Sequence, residues 1–195
     1  MGRWEPNAKG RLEKAAMTLY LDRGFEQTTV ADIAERAGLS ERTFFRYFAD
    51  KREVLFSGAA TLQELMVSCV RDAPTSLAPF DIVTLALAQA GAAIGQGRER
   101  ARLRQRVIDA NDELKERELI KLATLAGAMT EELRARGVAD TTSSLAAEAG
   151  ITAFRIGFER WVRGSDDADL VQFIAESVAQ LAAITHTMST VSKEL

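Results

Sequence analysis

Apolar side chains recur along this chain at helical spacing. Leu12, Ala15, Ala16, Leu19 and Tyr20 fall at i, i+3, i+4, i+7 and i+8, the pattern of one buried helical face. Gly24 ends that pattern and Phe25 follows it as an apolar anchor. Thr29 with Asp32 three residues on has the form of a capping box with a short acid, and Val30, Ile33, Ala34 and Ala37 share one face behind it. Gly38 stands where a helix C-terminus favours positive φ. Ser40 suits the N-cap of a third segment, on which Phe44, Phe45 and Phe48 lay an aromatic stripe, and Asp50 with Glu53 signals the next start. Two short helices joined by Gly38-Leu39-Ser40 predict a helix-turn-helix.

From Lys51 to about Asp72 the helical pattern is unbroken, with Val54, Leu55, Leu62 and Met66 among its apolar positions. At 1.5 Å per residue this predicts one helix on the order of 33 Å long. Ala73-Pro74-Thr75-Ser76 breaks it. Five further helices are predicted, at about 79–94, 98–109, 112–136, 142–164 and 167–187, with residues 79–94 apolar nearly all round and therefore buried, and the tail from Met188 frayed. No convincing period-2 strand, internal repeat or low-complexity tract interrupts them. The expected fold class is all-α, with about nine helices.

Composition fits that picture: 47% hydrophobic and 27% charged residues with 3 prolines make a globular, helix-favouring chain. The start carries no signal-peptide stretch, and no run approaches the roughly 18 apolar residues of a membrane span, so a cytoplasmic protein without a membrane partner is expected. Cys69 is the single cysteine, which leaves no intrachain disulfide and no cysteine zinc cluster; no metal or cofactor is expected. Charge changes the picture more. The net charge is -3, residues 1–55 hold 10 Lys/Arg against 9 Asp/Glu, and the remainder holds 15 against 19. Attraction for phosphates must come from local placement of cations.

A helix-turn-helix puts the exposed face of its second helix into the major groove. With Phe44 and Phe48 turned inward, Glu41, Arg42, Thr43, Arg46 and Tyr47 remain outside. Arg42 and Arg46, four apart, lie on one side of the helix, where either can read guanine, while Lys51 just beyond suits a phosphate. Without further support, an exposed Arg pair at i, i+4 reads by default as a solvated face.

The stretch from Arg11 to about Phe56, with Thr28-Thr29-Val30-Ala31-Asp32-Ile33-Ala34, Ala37-Gly38-Leu39-Ser40 and Thr43-Phe44-Phe45-Arg46-Tyr47-Phe48, closely resembles the DNA-binding domain of TetR-family regulators. That resemblance implies phosphate contacts from Thr28 and Thr29, a recognition surface of Arg42, Thr43, Phe45, Arg46 and Tyr47, and a further contact from Lys51. Three positions depart from the family's habits. Arg42 stands where a small residue is common, Phe45 where tyrosine is common, and Glu41 where a base is frequent. The resemblance divides the chain into a DNA-binding domain over residues 1–50 and a helical regulatory domain over 51–195, joined through the helix that starts at Lys51.

The same resemblance implies a homodimer in which the last two long helices pair with their copies, reading a palindromic operator. Gly150 and Gly157 on the penultimate helix, and Leu170, Phe173, Ile174, Val178 and Leu181 on the last, are the candidate interface; they fit an intramolecular core as well. Candidates for a ligand pocket are Val107, Leu122, Ala126, Met129, Phe154, Phe158 and Trp161, where a pocket wall and a packed core look alike. Residues Arg104 to Glu118 more weakly resemble the subgroup with acyl-CoA-like ligands, which implies a fatty acyl effector with Arg102, Arg104 or Arg106 near its head group. The alternative for that Arg-rich run is a solvated face.

The expected function is therefore a ligand-responsive repressor. An effector-independent architectural DNA-binding protein, or an activator with the same head, shares the same features. Catalysis is not expected: His186 is the single histidine, Gly95-Gln96-Gly97 is no nucleotide-binding fingerprint, and Asp166-Asp167 sits naturally at a helix N-terminus.

Overall fold

The computed structural model describes residues 7–164 and 169–191, with side chains described as far as residue 185. The expectations for Asp166-Asp167 and for the His186 side chain lie outside the described residues. Among the described residues the secondary structure is helical, without strands. Nine α-helices follow one another: α1 (Ala8–Arg23), α2 (Val30–Arg36), α3 (Glu41–Tyr47), α4 (Ala59–Asp72), α5 (Pro79–Gly95), α6 (Arg98–Asp109), α7 (Asp112–Ala135), α8 (Asp140–Arg163) and α9 (Leu170–Val191). The last continues past the fraying expected from Met188.

The chain divides into two compact units. One takes residues up to Ala59 together with Arg102–Glu118; the other takes Ala60–Ala101 and the residues from Leu119 on. Helices α4, α6 and α7 each begin in one unit and end in the other.

In the first unit, α1 buries Leu12, Ala15, Ala16, Leu19 and Tyr20, the face its periodicity predicts. Phe25, Ile33, Phe44 and Phe48 close on that face. The same core also takes Val54, Leu55 and Phe56, and Val107, Ile108 and Leu114. This corrects two expectations. The predicted helix from Lys51 to Asp72 is broken into a 3-10 turn, Arg52–Val54, a further turn, and the 14-residue α4. Three consecutive residues, Val54, Leu55 and Phe56, are all buried, whereas an α-helix would spread them over about 200° of its surface. Val107, expected at a ligand pocket, is a core residue of this unit.

Ion pairs tie the 102–118 segment to the same turn. Arg52 pairs with Glu113, Arg117 with Glu53, and Arg104 donates to the Leu55 carbonyl (2.7 Å) and to Glu118 (2.9 Å) while lying over the Phe56 ring. Arg104 is thereby engaged in the fold, not held ready for an anionic head group.

The second unit is built on α5, α8 and α9, which pack against one another. Glycines set how closely they approach. A Cβ at Gly157 would lie 3.0 Å from backbone atoms of Phe173 and Ile174 on α9, and one at Gly150 would overlap the Val83 side chain on α5. Both glycines, with the buried Leu170 and Ile174, thus serve packing inside one protomer, a correction to their expected place in a dimer interface. The added methyl of Gly157→Ala would meet main chain that cannot retreat without moving a helix. It should lower the unfolding free energy by about 1–3 kcal/mol in urea denaturation. Gly127→Ala on α7, where the methyl meets nothing within 4 Å, should raise it by up to about 1 kcal/mol.

Candidate nucleic-acid interface

Helix α2 is seven residues long and depends on its cap. The Thr29 hydroxyl accepts from the Asp32 N–H (3.1 Å), and the Asp32 carboxylate accepts from the Thr29 N–H (2.8 Å) and hydroxyl (2.7 Å). The Thr29 N–H, then its hydroxyl, and the neighbouring Arg23 hold the Asp32 carboxyl below the usual carboxylate range against its desolvation. Thr29 is exposed at the helix N-terminus, where backbone donors and the helix dipole favour an anion. Its neighbour is placed otherwise. Thr28 is fully buried and its hydroxyl donates to the Gly24 carbonyl (2.8 Å), so it secures the α1–α2 loop and is not on the surface that a phosphate would meet.

Lys51 closes the same loop from the far side of α3. Its ammonium donates to the carbonyls of Phe25 (2.9 Å), Thr28 (3.0 Å) and Glu26 (3.3 Å) and stands 4.3 Å from the centre of the Phe25 ring. An ammonium has three donors, and three carbonyls occupy them. The Lys51 carbonyl in turn accepts from the Tyr20 hydroxyl (2.6 Å), a phenol whose pKa burial pushes up. The phosphate role expected of Lys51 gives way here to a structural one.

Helix α3 begins at Ser40, whose hydroxyl accepts from the Thr43 N–H (3.2 Å) and lies 3.0 Å from the Thr43 hydroxyl. Phe44 is completely buried and Phe48 nearly so, their rings 5.4 Å apart. That anchoring turns the rest of the helix outward. Phe45 is 54% exposed although its edge packs on Phe44; Glu41, Arg42, Arg46 and Tyr47 are exposed and Thr43 is half-buried. Arg46 folds over the Tyr47 ring (4.9 Å) and donates to its hydroxyl (3.2 Å). One face of a short helix therefore presents two guanidiniums, two aromatic rings and a carboxylate.

At the far end of α3 the Asp50 carboxylate accepts from the N–H groups of Arg52 (2.8 Å) and Glu53 (3.1 Å) and from the Arg52 guanidinium (2.7 Å). Burial alone would raise this carboxyl; the hydrogen bonds outweigh it and hold it low. Asp50 was legible as a start signal, but its grip on Arg52 was not.

In the second unit the structure brings six of the seven expected pocket residues into one cluster. Ala126, Met129, Phe154 and Trp161 are buried, and Leu122 and Phe158 pack on them half-buried. Phe154 and Phe158 stack at 6.2 Å, and Phe158 meets Trp161 at 5.8 Å. Arg98 caps this stripe, donating to the carbonyls of Trp161 (2.7 Å) and Gly164 (2.7 Å). Sequence reasoning missed this role, which needs partners more than 60 residues away. Phe173, Val178 and Leu181 of the expected dimer interface are half-buried. Among the described residues no group of three or more His, Cys, Asp or Glu is placed to hold a metal ion, and no helix is long and apolar enough to cross a membrane.

Residues 12–57, the α1–α3 unit with its closing turn, match the family model described as bacterial regulatory proteins, tetR family. That stretch is a TetR-family DNA-binding domain. The N-terminal part of the chain is 33% identical over 76 residues to the HTH-type transcriptional regulator TcmR of Streptomyces glaucescens, a match covering 39% of this chain and 34% of TcmR. The chain spans about a third of the length of the curated relatives it matches. In fold, it is similar to Thermus thermophilus FadR, a TetR-family repressor solved with lauroyl-CoA (TM-score 0.53, 21% identity, 89% of this chain and 93% of that one). It is also similar to Bacillus subtilis FadR, solved with stearoyl-CoA (TM-score 0.53, 20% identity, 88% and 96%). Within this TetR-family head, Lys51→Met should lower the unfolding free energy by about 2–3 kcal/mol in urea denaturation, because it strips a charged donor from three loop carbonyls. A change below about 0.5 kcal/mol would assign Lys51 to the surface instead.

Proposed function

We propose that this chain is a ligand-responsive repressor that binds a palindromic operator as a homodimer. Residues 1–50 form the reading head and residues 51–195 the regulatory part. The observation that carries this reading is the outer face of α3. Phe44 and Phe48 lock the helix to the core while Arg42, Phe45, Arg46 and Tyr47 face outward. Arg42 and Arg46 are suited to guanine edges, Phe45 to a thymine methyl, and Thr43 to a donor or an acceptor on a base edge. Thr29 and Tyr47 position the backbone, and the N-terminus of α2 adds its amides. Thr28 and Lys51 support these residues from behind. Because the net charge is -3, specificity rests on these few contacts and not on bulk attraction.

A second copy of the chain would pair through α8 and α9. Leu145, Ala149, Thr152 and Ile156 fall at i, i+4, i+7 and i+11 along one side of α8, with Leu145 66% and Ile156 41% exposed; on α9, Ile184 is 63% exposed. Phe173, Val178 and Leu181 flank that surface in the proposed interface. Such a dimer would set two recognition helices about 34 Å apart.

The effector in this reading is a small apolar or amphipathic molecule that opens the cluster of Leu122, Ala126, Met129, Phe154, Phe158 and Trp161. A fatty acyl chain fits its lining, and the lauroyl-CoA and stearoyl-CoA complexes of the two FadR proteins support that class. Differential affinity for the open and closed cluster would supply the energy for release of DNA. The reading is tested by selecting bound duplexes from a random pool with the full chain. A two-fold sequence should emerge, and Arg46→Ala should lower affinity for it by about 1–3 kcal/mol while changing affinity for random duplex much less. Equal losses on both would reduce Arg46 to a phosphate contact, and failure to enrich any sequence would overturn the reading.

A further inference from the structure

The first unit carries a groove of about 420 Å3 that none of the roles above uses. Arg11, Lys14 and Thr18 line one wall at i, i+3 and i+7 of α1; Glu35, Arg36 and Gly38 line the other at the end of α2. Arg11 forms its floor. The Arg11 guanidinium donates to the Ala37 carbonyl and lies so close to Gly38 that a Cβ there would come within 2.8 Å of it. Gly38 therefore serves twice, through its φ of 65° and through the room it leaves for Arg11. Lys14 and Arg36 are exposed, and their cationic ends take no part in the core or in the caps.

We infer that this groove is a second DNA contact, which takes the sugar-phosphate backbone of the duplex beside the site that α3 reads. The inference rests on the reading of α3 as the recognition helix. Three observations carry it. Charge is the first: three cations face one carboxylate in a head whose sequence is otherwise near balance, and a local concentration of cations is what a phosphate strand requires. Continuity is the second. Gly38 is two residues before Ser40, the cap of α3, so the groove opens within one turn of chain from the helix end that enters a major groove about 12 Å wide, whose borders are phosphates. Size is the third: the volume equals that of roughly a dozen waters, room for a run of backbone and not only one ion. Glu35 works against the binding and supplies a sign by which the inference can be checked.

The experiment measures binding of the full chain to its selected duplex and to random duplex between 50 and 200 mM salt. Wild type, Arg46→Ala, the double variant Lys14→Gln/Arg36→Gln, and Glu35→Gln are compared. Loss of two phosphate contacts should flatten the slope of log affinity against log salt by about 1.8, so that the wild-type advantage over the double variant shrinks about 12-fold across that range on both duplexes. Glu35→Gln should tighten binding to both, a gain that no folding defect produces. If Arg46→Ala loses sequence preference while the double variant keeps the wild-type slope and Glu35→Gln keeps the wild-type affinity, the groove is not a DNA contact and the reading of α3 stands. If the wild type binds neither duplex, both fall together.

Discussion

A seven-residue helix has no stability of its own in water, so α3 exists only because Phe44 holds it. The Phe44 ring is wholly removed from solvent among Leu12, Ala16, Leu19 and Ile33, and Phe48 seconds it one turn later. That single burial fixes which way the rest of the helix faces. Arg42, Phe45 and Arg46 point outward because positions 44 and 48 must point inward, and the geometry of a helix leaves no other arrangement. Caps and loop locks then protect the arrangement: Thr29 and Asp32 begin α2, Ser40 begins α3, and Lys51 binds the carbonyls of the α1–α2 loop.

The same physics operates differently in the second unit. Long helices there need no such anchor, and what distinguishes them is closeness. Gly91, Gly150 and Gly157 let α5, α8 and α9 approach until a methyl group would not fit, and the aromatic stripe of Phe154, Phe158 and Trp161 fills the space on one side. In the function proposed for this chain, an apolar effector would have to replace the contacts of so tightly made a cluster.

Much of this was legible in the chain. The buried face of α1, the capping box at Thr29, the glycine turn and the inward phenylalanines are local patterns, and local patterns survive into the fold. What could not be read depends on partners distant in sequence. Lys51 sits where a phosphate contact is expected, yet its ammonium meets carbonyls 23 to 26 residues earlier. Thr28 and Thr29 are adjacent and chemically identical, and only the path of the loop decides that one is buried and the other exposed. The helix predicted to begin at Lys51 breaks because the core of the first unit takes Val54, Leu55 and Phe56 together. Val107, which periodicity places with the pocket, goes to that same core. Gly150 and Gly157 show the remaining limit: a small residue announces close approach, but not to which neighbour.

Photo-crosslinking from the outward face of α3 shows whether that face touches DNA. A benzophenone side chain placed at Phe45 should crosslink to bases of the selected duplex, while the same group at Leu21, exposed on α1, should not. Crosslinks of equal yield from both positions, or none from position 45 to a duplex that the protein demonstrably binds, would mean that α3 does not turn this face to DNA.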